Sequence, residues 1–308
     1  MNNSRNNILK TLAYFNIFQY PLTREELFHF HGEQTDRSVL SESLQSLLTD
    51  KKVFKLDEFY SLQNSIALAE RRRTGNNNAA AEMKNALKAA KILSRFPYVK
   101  GLAISGSLSK NYADEHTDVD FFIITSANRL WIARTLMHLF YKLAYFSGKQ
   151  RWFCMNYYID EAGLEISEKN IFTAMEIVTL IPMQGMHTFN DFISSNQWTK
   201  TYFPLASFSA SNAPEIRKGL FRTLTEKIFN TGFGNRVDNW LMKITNRRWQ
   251  KKSLKNKKNR RGGLLGMLAD KHYSKPDPKN FQQKVLDKYN AGVNHLLYAQ
   301  EEQLIRLT

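Results

Sequence analysis

Residues 101 to 125, GLAISGSLSKNYADEHTDVDFFIIT, place two apolar runs on either side of a polar loop. The second run, VDFFIIT, is apolar without interruption. A strand of that kind is buried on both faces, so the chain must lay other elements above and below it. The loop begins with Gly106-Ser107 and ends with Asp118-Val119-Asp120. Alternation along a strand puts Asp118 and Asp120 on one face. Two carboxylates that close repel, and each raises the other's pKa. A divalent cation reverses that cost, and hard oxygen ligands suit Mg²⁺ or Mn²⁺. At the other end of the loop, Gly106 follows a strand and precedes a short helical segment, LSKNYA. A glycine there lets backbone approach a bulky ligand. The first N–H groups of a helix bind anions, and the Ser107 hydroxyl can donate to the same group.

The flanking sequence gives the organisation. Residues 1–64 read as three helices and a hairpin. NNILKTLAYFNIF carries apolar residues at helical spacing. Thr23 and Glu26 form a capping-box pattern. TDRSVLSESLQSLLTDKK gives a third helix, and VFKLDEFYSLQ two strands around Asp57-Glu58. This is the winged-helix pattern, whose third helix often reads DNA. Here that helix carries Asp36, Arg37, Glu42, Lys51 and Lys52, a mixed charge, so a protein-contact or packing role stands beside DNA binding. Residues 65–96 are a helical connector, with TGNNN expected to break it. Residues 97–167 alternate strand and helix, and residues 168–308 read as helical. The expected class is α+β, with a mixed-sheet central domain between the winged-helix-like unit and a helical C-terminal domain.

Gly-Ser followed by Asp-x-Asp between two strands resembles the nucleotidyltransferase superfamily typified by DNA polymerase beta. The matching residues are Ser105-Gly106-Ser107 and Asp118-Val119-Asp120, within about 25 residues. The resemblance implies a metal-dependent transfer of a nucleoside monophosphate from a nucleoside triphosphate to a hydroxyl, with release of pyrophosphate. It implies that Gly106 and Ser107 hold the triphosphate, that Lys110 touches phosphate, and that Asp118 and Asp120 bind Mg²⁺. A third carboxylate is expected on a later strand, FCMNYYID. Asp160 is the nearest acid there, with Glu161 and Glu165 beyond it. Asn156 stands where the acid is expected, and an amide cannot act as a base at neutral pH. The same residues admit a fold with an eroded third carboxylate, acting as a nucleotide sensor or regulator.

Charge adds one further feature. The 308 residues carry a formal net charge of +16. The run KITNRRWQKKSLKNKKNRR, residues 243 to 261, holds ten Lys or Arg and no acid. Without it the rest carries about +6, so basicity is local. It reads as a phosphate-contacting nucleic-acid arm or as a solvated basic helix. His116 reads as a loop residue and His138 as a structural one. A single cysteine, Cys154, excludes an intramolecular disulfide and a zinc site of cysteines. No apolar run approaches the roughly 18 residues of a membrane span. The N-terminus lacks a signal-peptide pattern, so a cytoplasmic protein without membrane attachment is expected.

Overall fold

The computed structural model describes residues 2–146, 148, 150–207, 213–217, 219–255, 266–276 and 281–305. The chain opens with α1 (Asn2–Asn16), β1 (Leu22–Thr23), α2 (Arg24–His29) and α3 (Arg37–Thr49). The hairpin β2 (Phe54–Leu56) and β3 (Phe59–Ser61) turns at Asp57-Glu58 as expected. The three short strands form an antiparallel sheet in the order β1-β3-β2. The capping box holds: Glu26 N donates to Thr23 Oγ1 at 3.2 Å, and Thr23 N donates to Glu26 Oε2 at 2.9 Å. Leu12, Leu22, Leu27, Leu40 and Leu47 fill the interior between these elements.

Next comes α4 (Ile66–Leu93), one uninterrupted helix of 28 residues. The expected break at TGNNN does not occur. Gly75 serves there as a place of close approach. The Tyr112 ring lies so near that a Cβ on residue 75 would stand 2.3 Å from it. Ala113 N donates to Gly75 O at 3.0 Å, and Asn78 Nδ2 donates to Ala113 O at 3.3 Å. Docking of the 110–113 segment thus outweighs the local breaker tendency. The start of the helix is tied to the first unit by Arg72, which is 2% exposed. Its guanidinium pairs with Glu26 at 2.6 Å, donates to Pro21 O at 2.7 Å and lies 3.7 Å from the Tyr20 ring centroid.

The remaining elements build the larger sheet. They are β4 (Val99–Ser105), α5 (Gly106–Ser109), β5 (Asp120–Thr125), α6 (Leu130–Phe146) and β6 (Cys154–Asp160). Then follow α7 (Ile171–Val178), β7 (Ile181–Gln184), α8 (Met186–Ser195), α9 (Leu220–Phe229), α10 (Gly232–Leu254), β8 (Met267–Ala269), β9 (Tyr273–Pro276) and α11 (Phe281–Ile305). The sheet order is β7-β4-β5-β6-β9-β8. Among the described strands of this sheet only β5 and β6 run parallel, joined across by α6; the other pairs are antiparallel. The chain is therefore a mixed α/β structure with a mixed sheet. Phe121, Ile123 and Ile124 of β5 are fully buried, as the unbroken apolar run requires.

The region expected to be helical, 168–308, corrects the reading in one respect: it supplies β7, β8 and β9. These strands have three or four residues, too short to show a period. Pro182 sits in β7, an edge strand, where a missing N–H costs least. The basic helix α10 packs on α6 through Asp238, whose Oδ1 accepts from Ile132 N at 2.9 Å.

Gly75→Ala should destabilise the chain by about 2 kcal/mol, because the added methyl meets the Tyr112 ring inside a packed contact; denaturant unfolding measures it. A second expectation concerns pH. Burial pushes the Asp238 carboxyl up to about 6 from 3.8, against hydrogen bonds from Ile132 and Trp131 N–H groups that lower it. The folded chain therefore holds this proton more tightly than the unfolded one. Stability falls as pH rises from 3.8 to about 6, and the cost persists above that. Asp238→Asn should gain up to about 3 kcal/mol at pH 8 and next to nothing at pH 3, read from melting curves at the two pH values.

Candidate functional site

The pairing of β4 with β5 sets Ser105 opposite Asp120. Chain direction then reverses the roles of the two ends: β4 stops where β5 begins. Gly106, the first residue past β4, adopts φ +70°, in the left-handed region that glycine enters without strain. Its Cα faces the Asp120 carboxylate. A Cβ on residue 106 would lie 2.7 Å from Asp120 Oδ2. Both the backbone conformation and the space therefore demand glycine. This is the close approach that the sequence suggested, although the group approached is the strand's own carboxylate.

From Gly106 the chain forms α5, a single turn whose cap, Ser105, makes no side-chain capping bond. The first-turn N–H groups of such a helix have no acceptor within it. Ser107 is exposed beside them. The turn is closed by Ser109 Oγ, donating to Gly106 O at 2.8 Å, and by Lys110 Nζ, donating to the same oxygen at 3.1 Å. Lys110 also pairs with Glu176 of α7 at 2.8 Å. Tyr20 OH donates to Lys110 O, which binds the loop to the N-terminal unit.

The return to β5 is shaped by a tight Asp114–Thr117 turn. Thr117 Oγ1 and His116 N both donate to Asp114 Oδ1 at 2.9 Å. Arg151 donates to Glu115 O and Thr117 O, and its Nε stands 3.8 Å from Asp118 Oδ1. Val119 N donates to Arg151 O at 2.8 Å, which extends β5 backwards toward Asp118. His116 is exposed on this loop, and the ring of His138 stacks on Tyr141 of its own helix.

Gly106, Ser107, Lys110, Asp118 and Asp120 all line one cavity of about 750 Å³. That volume lies within the range of small-molecule sites. Asn156 of β6 lines it as well, next to the point where the β5–β6 register shifts. Asp160 does not. Parallel pairing aligns Asp120 with Cys154 and Thr125 with Asp160, so Asp160 lies about 17 Å along the sheet from the carboxylate pair. It is 0% exposed and fully engaged elsewhere. It accepts from Asn128 N at 2.7 Å and Ala162 N at 3.0 Å, and its Oδ1 stands 3.0 Å from His272 Nδ1. Its work is to join the start of α6, the turn after β6 and the approach to β9. Glu161 pairs with Lys100 and Glu165 with Lys169, and neither lines the cavity.

No protein-family model, curated protein or solved structure matches this chain.

Among the described residues no group of three or more His, Cys, Asp or Glu side chains is arranged to hold a metal ion. The fit for a divalent cation is narrower. Asp118 and Asp120 supply carboxylate oxygens, and Asn156 lines the same cavity. Mg²⁺ is commonly held by one or two carboxylates while substrate phosphates and water complete its shell. The pair fits that mode.

Several lining residues lay outside the sequence reading. Glu168, paired with Lys275 at 2.6 Å, and Glu176 bring acids from beyond β6. Tyr14, Phe18 and Tyr20 form an aromatic wall from the N-terminal unit, met by Tyr112 from the loop, its ring 6.1 Å from that of Tyr20. Among the described residues Tyr14 OH, which is buried, has no hydrogen-bond partner. The cluster YFNIFQY at 14–20 was the available signal, and it reads equally as core.

Gly106→Ala should cost about 2 kcal/mol by denaturant unfolding, from the positive φ and the clash with Asp120. In an Asp120→Ala background the same substitution should cost about 1 kcal/mol, the φ share alone. A double-mutant cycle with no coupling would mean that the carboxylate does not abut residue 106.

Proposed function

We propose that the protein is a metal-dependent nucleotidyltransferase, moving a nucleoside monophosphate from a nucleoside triphosphate to a hydroxyl acceptor. The observation that supports this most is the contact between Gly106 and Asp120, with Ser107 and Asp118 on the same cavity wall. A phosphate-binding turn and paired carboxylates face one space. That is the equipment of phosphoryl-group transfer, where catalysis is positioning plus charge stabilisation.

In this reading the first-turn N–H groups of α5 and the Ser107 hydroxyl hold the terminal phosphates. Asp118 and Asp120 hold the divalent cation, which neutralises phosphate charge and lowers the pKa of a bound hydroxyl. Lys110, held by Glu176 and Gly106 O, points its ammonium at the same turn and adds positive charge beside the phosphates. The aromatic wall excludes water from the acceptor side. A winged-helix identity for the first unit is proposed with it: three helices and a three-stranded sheet support it.

One observation favours a second reading. Asp160 lies far from the pair, and the β6 position beside it is Asn156. A site with two carboxylates and an amide there suits a nucleotide-binding regulator that does not turn over.

The two readings part in one experiment. The full chain with Mg²⁺ and each nucleoside triphosphate is assayed for pyrophosphate over a panel of sugar, protein and polynucleotide acceptors. Release is expected to fall at least about 1,000-fold in Asp118→Asn and in Asp120→Asn, with melting temperatures held close to that of the parent. Tight nucleotide binding without any pyrophosphate would select the regulator, and loss of binding as well would remove both readings.

A further inference from the structure

The basic run singled out in the sequence has a definite place in the fold. Its first thirteen residues, 243–255, complete α10 and its C-cap, and residues 256–261 lie outside the described ones. On α10 the helical period puts Arg236, Trp240, Lys243, Arg247 and Lys251 on one stripe. Every one of these five side chains is exposed, Trp240 at 60%. Arg248, Lys252 and Lys255 form a second exposed row beside it. The single acid of the helix, Asp238, is 2% exposed and turned into α6, so it does not offset this surface.

The second row leads to the cavity. Trp249 adjoins Arg248 and Lys252 on the side of α10 away from the first stripe, and lines the same cavity as Asp118 and Asp120. Lys252 Nζ lies 4.8 Å from the Trp249 ring centroid. The field reaches α6 as well. Burial first, then Arg134, Lys142 and Lys252, hold His138 down at about 4.

Regularly spaced cations interleaved with an exposed indole are the elements that grip single-stranded nucleic acid. The cations follow the phosphates, and a ring takes a base by stacking. We infer that the acceptor is the end of a single-stranded polynucleotide, which runs along the Arg248, Lys252 and Lys255 row of α10 and stacks its terminal base on Trp249 at the cavity wall. The assignment of the end as acceptor rests on the transferase reading. The binding itself does not.

The test uses the full chain with fluorescently labelled single-stranded RNA and single-stranded DNA of the same mixed sequence, read by anisotropy across a salt series. Binding to either strand should weaken steeply with salt, each phosphate contact adding about 0.7 to the slope of log affinity on log salt. The double substitution Arg248→Gln with Lys252→Gln should flatten that slope by about 1.4. Trp249→Ala should lose about ten-fold in affinity with the slope unchanged. The tighter of the two strands names the sugar. Absent or salt-independent binding would overturn the inference, as would α10 variants that bind like the parent. Capture by vesicles of phosphatidylcholine and phosphatidylserine with no binding of either strand would also overturn it, assigning the charge to a lipid surface. Calorimetry of Mg²⁺-ATP on the parent and on the double Arg248→Gln, Lys252→Gln variant separates the two proposals. Unchanged nucleotide affinity with lost polynucleotide binding supports the track along α10. If nucleotide does not bind the parent while polynucleotide does, the transferase reading falls, and with it the acceptor role, while the α10 site stands.

Discussion

The antiparallel register between β4 and β5 places Ser105 opposite Asp120, and the geometry around the cavity descends from that pairing. Because the strands run in opposite directions, the chain leaves one strand at the level where it enters the other. Gly106 and Asp120 are fourteen residues apart in sequence and in contact in space. The register is held by residues with no part in the site: Leu102, Ile104, Phe121 and Ile123 sit at 0% exposure. A one-residue slip would turn every one of them to the wrong face of the sheet. The apolar core thus fixes the carboxylate against the turn far more firmly than any bond of its own.

Around that contact the cavity gathers residues from much of the chain. Its walls come from α1, α4, α7, β6, β9 and α10. The N-terminal unit is not appended to a finished domain. Its core is continuous with Ala174, Met175, Phe203 and Val285 from the second half of the chain. Tyr20 stands at the junction: it stacks on Phe15, meets the edge of Tyr112, lies under Arg72 and donates to Lys110 O. Its ring lines the cavity.

What could be read from sequence divides along the range of the interactions. The strand–turn–strand of 99–125 was legible because an unbroken apolar run and a glycine after a strand are local facts. So were the capping box at Thr23 and the hairpin at Asp57. The alignment of Asp160 with Thr125 was not legible, because alternation tells which face a side chain takes but not which residue of the partner strand it meets. TGNNN was read as a break because its own propensities say so, whereas the Tyr112 ring that welcomes Gly75 is supplied by another segment. The strands β7 to β9 are too short to carry a pattern, and their pairing partners are what make them strands. Glu168 and Glu176 had no signal at all, since a lone glutamate before or within a helix is ordinary.

The contact between Asp160 and His272 spans 112 residues, and with β9 it closes the outer edge of β6. During synthesis β6 leaves the ribosome long before its neighbour exists. For that interval its N–H and C=O groups on one side have no strand to meet, and Asp160 has no imidazole beside it. A half-built sheet of this kind is an adhesive edge. The order in which the chain is made thus leaves the edge of β6 uncovered until β9 follows, a longer exposure than the β4–β5 pair undergoes.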